Sequence, residues 1–348
     1  MKNRLTKLAI FFRPILWPLA LIYGFITSVR NKLYDLKILS TYEIPVFSVV
    51  IGNLAVGGTG KTPMVSYMIN KFAHHQLAVI SRGYGRATKG FRSVDENANS
   101  MTVGDETLML YNNHKSQAKF FVSENRKDGV LEALKLYPEI DFILFDDAYQ
   151  HRKIKASFNI LLSTFSKPFF KDYIIPAGNL REPKKGYHRA DAIIITKVPH
   201  RSELNQYPQL AQIDKPVYAT KIVAASPQNP FGKGLENGVK VNVLSALANN
   251  RLFAEQVRKD FMVCREYSFL DHHSYSEKDI RNIDFSLPII TTEKDMVKIL
   301  PLLDDNQKSQ FYVQKIGIEF LENESDFLTS INTAFKRFQE QKGSIING

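Results

Sequence analysis

An α/β fold, with a mostly parallel sheet and helices on both of its faces, is what this sequence predicts, and three observations predict it. Short apolar runs alternate with helical patterns between residues 47 and 196, the signature of strand-helix-strand units. One of those runs, Ser48–Ile51, leads directly into a glycine-rich turn that closes with Gly-Lys-Thr. Beyond about residue 200 the alternation restarts, which adds a second, smaller α/β domain.

Taken in order, the chain opens with an apolar stretch. Leu8 to Val29 reads LAIFFRPILWPLALIYGFITSV, with Arg13 as its only charge. As a helix it would reach about 33 Å, the thickness of a bilayer core. Twelve Leu, Ile, Phe and Val residues favour insertion by about 5 kcal/mol in total, and Arg13 opposes it by about 3. Pro14 and Pro18 add a kink. Lys2, Arg4 and Lys7 precede the run, Arg30 and Lys32 follow it, and Trp17 and Tyr23 lie within it. That pattern suits an anchor or interfacial helix on anionic lipid, without requiring a full span. A buried core helix is the competing reading. No small-residue cleavage site follows, which argues against a signal peptide.

Strands are expected at Phe47–Ile51, Leu77–Ser81, Lys119–Val122, Phe142–Phe145, Asn159–Ser163 and Ala192–Thr196, and helices at Pro63–Phe72, Thr107–Tyr111 and Asp128–Leu136. The second unit is read as strands at Val217–Ile222, Val239–Val243, Pro288–Thr292 and Phe311–Ile316, with helices near Leu252–Asp260 and Glu277–Asn282. The organisation is therefore 1–32 as an N-terminal membrane anchor helix, 33–200 as a nucleotide domain and 201–348 as a C-terminal α/β domain. The polar tail QEQKGSIING is expected to fray.

The bulk numbers fit this picture. Of 348 residues, 44% are hydrophobic and 23% charged, enough apolar material for a real core. Cys264 is the single cysteine, which excludes a disulfide framework and a cysteine-based zinc site. The formal charge of +11 and a pI near 9.4 suit an anionic partner. No nucleic-acid module or long Lys/Arg block is present, so the expectation is acidic lipid or a phosphorylated substrate, with no nucleic acid and no obligate protein partner.

The glycine-rich turn carries the chemistry. Ser48 to Pro63 reads SVVIGNLAVGGTGKTP, which misses the pattern G-x-x-x-x-G-K-[ST] by one residue, because Ala55 stands where the first glycine belongs. Consecutive main-chain N–H groups at a helix N-terminus cradle phosphate. Ala55, Val56, Gly57, Gly58, Thr59, Gly60, Lys61 and Thr62 are the nucleotide-binding candidates. Lys61 reaches the outer phosphates and the Thr62 hydroxyl holds Mg²⁺. A second apolar strand, DFILFDDAYQH, ends in Asp146 and Asp147, where a P-loop NTPase-like fold keeps its Mg²⁺ carboxylate. An ordinary strand-turn-helix junction and a solvated acid pair are the bland alternatives, and each weakens in the presence of the other signal.

These boxes resemble those of the tetraacyldisaccharide 4′-kinase family. GNLAVGGTGKTP is similar to its GNLTVGGTGKTP, SRGYGR (Ser81–Arg86) to its SRGYG box, and GDE (Gly104–Glu106) to its GDE box. DDAYQHR (Asp146–Arg152) resembles DDGFQHR, PAGNLREP (Pro176–Pro183) resembles PAGPLREP, and DHH (Asp271–His273) and TEKD (Thr292–Asp295) match as well. Ala148 and Tyr149 replace Gly-Phe, Asn179 replaces a proline, and SALANNRLF (Ser245–Phe253) only loosely follows the family's G-I-x-N-P box.

The resemblance implies transfer of the γ-phosphoryl of ATP, with Mg²⁺, to the 4′-hydroxyl of the lipid A disaccharide precursor. It also implies a site on the cytoplasmic face of the inner membrane, and a C-terminal domain that closes over that site. By the same resemblance Asp105 is the base, paired with His272, although His273 is adjacent and the sequence does not choose between them. Lys61 acts beside them, and Glu106 joins Thr62, Asp146 and Asp147 at the metal. Asp105 could also be a plain helix cap. Arg126, Arg181, Gln150 and His151 are candidates for phosphate or sugar contacts. Lys294 and Asp295 carry no derivable role.

Two rivals remain at this stage. In a partition-type regulatory ATPase recruited to membranes, a signature lysine would stand at Val56. A switch GTPase would need an aspartate that Thr196-Lys197-Val198-Pro199 lacks.

Overall fold

The computed structural model describes residues 13–271 and 273–346. Helix α1 spans Arg13–Asp35. After it come strand β1 (Phe47–Asn53), helix α2 (Lys61–Lys71), β2 (Leu77–Ser81), β3 (Arg92–Ser93), helix α3 (Asp105–His114) and β4 (Ala118–Val122). Helix α4 (Arg126–Leu136), β5 (Phe142–Asp146), β6 (Phe158–Thr164), β7 (Ala192–Thr196) and β8 (Val217–Ala224) complete this run. The chain continues through β9 (Lys240–Ser245), helix α5 (Asn250–Val257), β10 (Met262–Ser268), β11 (Ile289–Thr292), helix α6 (Glu293–Ile299), β12 (Phe311–Gln314), β13 (Ile316–Phe320) and helix α7 (Glu324–Ile346).

A nine-stranded sheet has the order β13-β8-β7-β6-β1-β5-β2-β4-β3. Only its outer pairs, β13 with β8 and β3 with β4, are antiparallel. Apolar cores cover both faces. Met64, Val65 and Met68 of α2 and Phe327 and Ile331 of α7 lie on one face; Val130 and Ala133 of α4 lie on the other. The inner strands are buried on both sides, which is why they read as continuous apolar runs. A four-stranded parallel sheet, β10-β9-β11-β12, carries the second core.

The division expected at residue 201 does not coincide with the sheets. Strand β8 pairs in parallel with β7, and β13 returns to pair with β8. The four-stranded sheet is thus set between Ala224 and Ile316 as an insertion in the first sheet. The single strand expected at Phe311–Ile316 is two strands, one for each sheet.

The tail expected to fray is helical over Gln339–Ile346, and Asn347 and Gly348 lie outside the described residues. Helix α7 extends to Ile346 because Phe327, Ile331, Phe335 and Phe338, spaced along one helical face, pack into the first core. Lys342 near its end donates to Pro45 O at 3.0 Å.

The expected anchor corresponds in part to α1, and its first residues lie outside those described. No helix among the described residues is long and apolar enough to cross a membrane.

Candidate active site

Strands β1 and β5 are neighbours in register, with Ile51 opposite Asp146, so the glycine-rich loop and the acid pair emerge at the same edge. That edge lies beyond the carboxyl ends of parallel strands, where ligands bind in open α/β sheets.

The loop explains its own departure from the pattern. Ala55 forms an antiparallel bridge with Leu180, so it belongs to extended chain and needs no glycine. Val56 N donates to Asn179 O at 2.9 Å, and Arg181 N donates to Leu54 O at 2.7 Å. Asn179 is itself held by Asp172: its Nδ2 donates at 2.8 Å and its N–H at 3.3 Å. A proline there would lack that N–H. The turn occurs later, at Gly57 (φ 113°) and Gly60 (φ 85°), conformations that L side chains disfavour. Asn53 Nδ2 braces the inside of the loop through Ala55 O (2.6 Å) and Thr59 Oγ1 (2.9 Å). Thr196 Oγ1 and Lys197 Nζ brace the outside by donating to Thr59 O (2.8 Å) and Gly58 O (2.7 Å). Lys61 and Thr62 then begin α2, with Pro63 in its first turn.

Lys61 Nζ lies 3.7 Å from Asp147 Oδ1, and Arg181 Nη1 approaches the same carboxylate at 3.2 Å. Asp146 is buried, and its Oδ1 has no hydrogen-bond partner. Burial, followed by the nearby Glu106 carboxylate, pushes its acid up to about 7. This edge borders a cavity of about 380 Å³ that Glu106, Asp146, Asp147, His151, Arg82 and Arg181 help to line. Burial and the positive charges of Arg126 and Arg82 hold the His151 imidazole down near 4, so it is neutral at pH 7.

Other expected residues sit differently. Arg126 is almost fully buried; its Nη1 donates to Ser123 O and its Nη2 to Asp146 O at 3.1 Å. In place of the expected phosphate contact, it fixes the main chain behind the acid pair. Burial lowers it to about 10. Gln150 Nε2 donates to Asn53 O (2.8 Å) and Glu182 Oε1 (3.0 Å), tying the loops together.

Asp105 is the first residue of α3 and follows the capping Gly104, so it is not the cap. Its Oδ2 lies 2.8 Å from Lys298 Nζ on α6. His272 lies outside the described residues. The His273 Nε2 faces Asp279 Oδ2 at 3.3 Å, and its ring stacks on Phe269. Asp295 is buried and accepts from Ala246 N, Tyr275 Oη and Thr292 Oγ1. The TEKD box therefore organises the second sheet's edge.

Sequence reasoning missed the wall that α1 provides. Tyr23, Thr27, Arg30 and Asn31 line the cavity. Tyr23 Oη donates to Arg181 O at 3.0 Å, Arg30 Nη2 to Gln150 O at 2.9 Å, and Asn31 Nδ2 to Glu182 Oε2 at 2.7 Å. Their spacing of four, three and one residues places them on one helical face. That polar stripe in an apolar run was the available signal.

A phosphate loop on β1, an acid pair on the adjacent strand and a neighbouring cavity define a P-loop phosphotransferase. The tetraacyldisaccharide-1-P 4′-kinase family matches residues 12–336. A tetraacyldisaccharide 4′-kinase of Flavobacterium psychrophilum is 38% identical across 91% of this chain and 95% of its own length. One from Cytophaga hutchinsonii is 35% identical across 93% and 96%. The crystal structure of LpxK from Aquifex aeolicus in complex with ATP superposes with a TM-score of 0.77 at 27% identity, covering 93% of this chain and 99% of that one. The chain belongs to the tetraacyldisaccharide 4′-kinase family, and it is a kinase. The partition-ATPase and GTPase readings fall with that.

Proposed function

We propose that this kinase transfers the γ-phosphoryl group of ATP to the 4′-hydroxyl of a tetraacyldisaccharide 1-phosphate, giving lipid IVA for lipid A biosynthesis. The observation that carries the reading is the meeting of Lys61 and Asp147, 3.7 Å apart, beside the orphaned Asp146 Oδ1 at a cavity walled by α1. Main-chain N–H groups between Gly57 and Lys61 take up the phosphates, and Lys61 offsets the charge that spreads over the transferring group. Asp105, paired with His272, receives the hydroxyl proton as the new P–O bond forms. The bond from the γ-phosphorus to its bridging oxygen breaks, and ADP leaves with that electron pair. His273 is engaged elsewhere, with Asp279 and Phe269. Arg181, His151 and Gln150 border the acceptor side.

The orphaned Asp146 Oδ1 also suits Mg²⁺, which uses one or two carboxylates and completes its shell with water and phosphate oxygens. Among the described residues no group of three or more His, Cys, Asp or Glu side chains is placed to hold a metal. Thr62, Glu106, Asp146 and Asp147 would hold it. Bound there, Mg²⁺ would offset negative charge on the nucleotide phosphates.

Membrane association is part of the proposal, at the cytoplasmic face of the inner membrane. Ile15, Leu21 and Phe25 of α1 are 68%, 64% and 70% exposed. Beside them an apolar cavity of about 320 Å³ runs between α1 and the Asp172–Lys184 segment. An interfacial helix with such a face presents an acylated substrate without leaving the bilayer surface.

The test is incubation of detergent-solubilised enzyme with Mg-ATP labelled at the γ position and tetraacyldisaccharide 1-phosphate, beside Lys61→Ala. Label on the lipid with wild type alone supports the assignment. Hydrolysis of ATP with unlabelled lipid overturns the acceptor.

A further inference from the structure

The Thr292–Lys298 segment sets Lys294 and Lys298 four residues apart, on one face of α6. Lys294 Nζ lies 4.0 Å from Asp271 Oδ1. Lys298 Nζ lies 2.8 Å from Asp105 Oδ2 and donates to the main-chain carbonyl of His273 at 3.2 Å. The side chains of Lys298 and Asp105 are 9% and 18% exposed. One half-buried ammonium therefore bonds a group on α3 and a group in the loop after β10, and both belong to boxes picked out in the sequence. Helix α6 is in turn fixed where it stands. Asp295 takes three hydrogen bonds within the insertion, and Asn113 of α3 donates to Glu293 at 2.7 Å.

We propose that Lys298 is a positioning residue for phosphoryl transfer: rooted in the inserted sheet, it holds the Asp105 carboxylate and the main chain at His273 in one arrangement. The proposal rests on Asp105 being the base. A carboxylate at the first position of a helix can point several ways, whereas a base works only within about 3 Å of the proton it takes. A buried ammonium is costly unless paired, so Lys298 favours the single seam geometry in which both of its partners are present. Misplacing a reacting group by about 1 Å costs on the order of 100-fold. Lys298 itself bonds Asp105 and the loop, and acts through them.

A double-mutant cycle in the full-length enzyme tests this. Lys298→Met and Lys298→Arg are made in wild-type and Asp105→Asn backgrounds, and kcat, both KM values and Tm are measured. The expected result is a fall in kcat of roughly 30- to 100-fold for Lys298→Met, with each KM within about 3-fold. Lys298→Arg recovers most of the loss. In the Asp105→Asn background the Met substitution costs less than about 3-fold more. Equal losses in both backgrounds, a loss carried by KM, or no rescue by arginine would overturn the proposal while leaving Asp105 as the base. Wild-type kcat in Asp105→Asn alone would instead remove the base assignment, and the proposal with it. If Lys298→Met does not fold, Lys298→Gln is read in the same cycle with the same outcomes.

Discussion

Strand β1, which delivers the phosphate loop, is buried along its whole length, whereas β10 at the edge of the inserted sheet leaves Met262 57% exposed and its charged residues in solvent. The loop is closed by main-chain bonds to the Asn179–Arg181 segment. Across the seam, the polar contacts to Asp105 and Asn113 are made by side chains, chiefly Lys298, Glu293 and Lys315. Main-chain bonds inside a two-sided core are the last to open, and seams made by side chains alone open sooner. A cradle closed by main-chain bonds thus meets a cover joined by side chains, and the proposed reaction draws on groups from both.

The sharpest way to break this comparison is on the cradle. Lys61→Ala should lower kcat about 100- to 1,000-fold, the scale for losing one charge-stabilising donor. Its Tm should stay within about 2 °C, because the ion pair to Asp147 is partly solvated. A large drop in Tm would mean that Lys61 supports the fold rather than the reaction.

Next in size is a pH effect confined to the cradle. Asp146 titrates near 7 in the folded protein against an ordinary 3.8, so between those values the native state binds more protons than the unfolded chain. Metal-free stability should therefore fall as pH rises from about 4 to 7 and level off above. Asp146→Asn carries no charge and escapes that slope. Its advantage should grow from near zero below pH 4 to on the order of 4 kcal/mol above pH 7, read by urea unfolding. Added Mg-ATP should stabilise wild type and not the variant. Parallel pH curves for the two proteins would show that Asp146 is not the strained group.

Which parts of this were legible in the sequence follows the same division. The alternation of apolar runs with helical patterns, which predicts the parallel sheet, and the run VVI before the glycines, Gly-Lys-Thr and the paired acids after FILF, which predict the phosphate site, are all local signals. The insertion was not legible, because β8 and β13 meet only through long-range pairing and neither sequence names its partner. Strand β10 escaped notice because MVCREYS is an exposed edge with charges in it, where apolar alternation is weak. Arg126 looked like a phosphate ligand by residue type, and only burial shows it bonded to carbonyls. The polar face of α1 was hidden inside an apolar average.

On the cover, Asp295→Ala removes three acceptor contacts at once and leaves Ala246 N and Tyr275 Oη without their partner. The expected cost is about 2–3 kcal/mol. Hydrogen exchange should show it confined to β9–β12, with β1 and β5 protected as before. Loss of protection in both sheets together would mean that cradle and cover unfold as one unit.

The smallest effect is expected at the seam itself. Asn113 donates to Glu293 at 2.7 Å and accepts from Lys315 Nζ at 2.7 Å, touching the insertion both at α6 and where the chain returns to β13. Both partners are flexible and can reach water, so Asn113→Ala should cost only about 1 kcal/mol. A rigid joint would transmit that loss to global unfolding. An adjustable one should leave the urea midpoint nearly unchanged, while exchange of the α6 amides quickens several-fold, since about 1 kcal/mol of local opening is roughly a 5-fold change in an equilibrium. If the midpoint shifts and α6 exchange does not, the seam is part of the cradle and the contrast between the two regions fails at the place where it should be clearest.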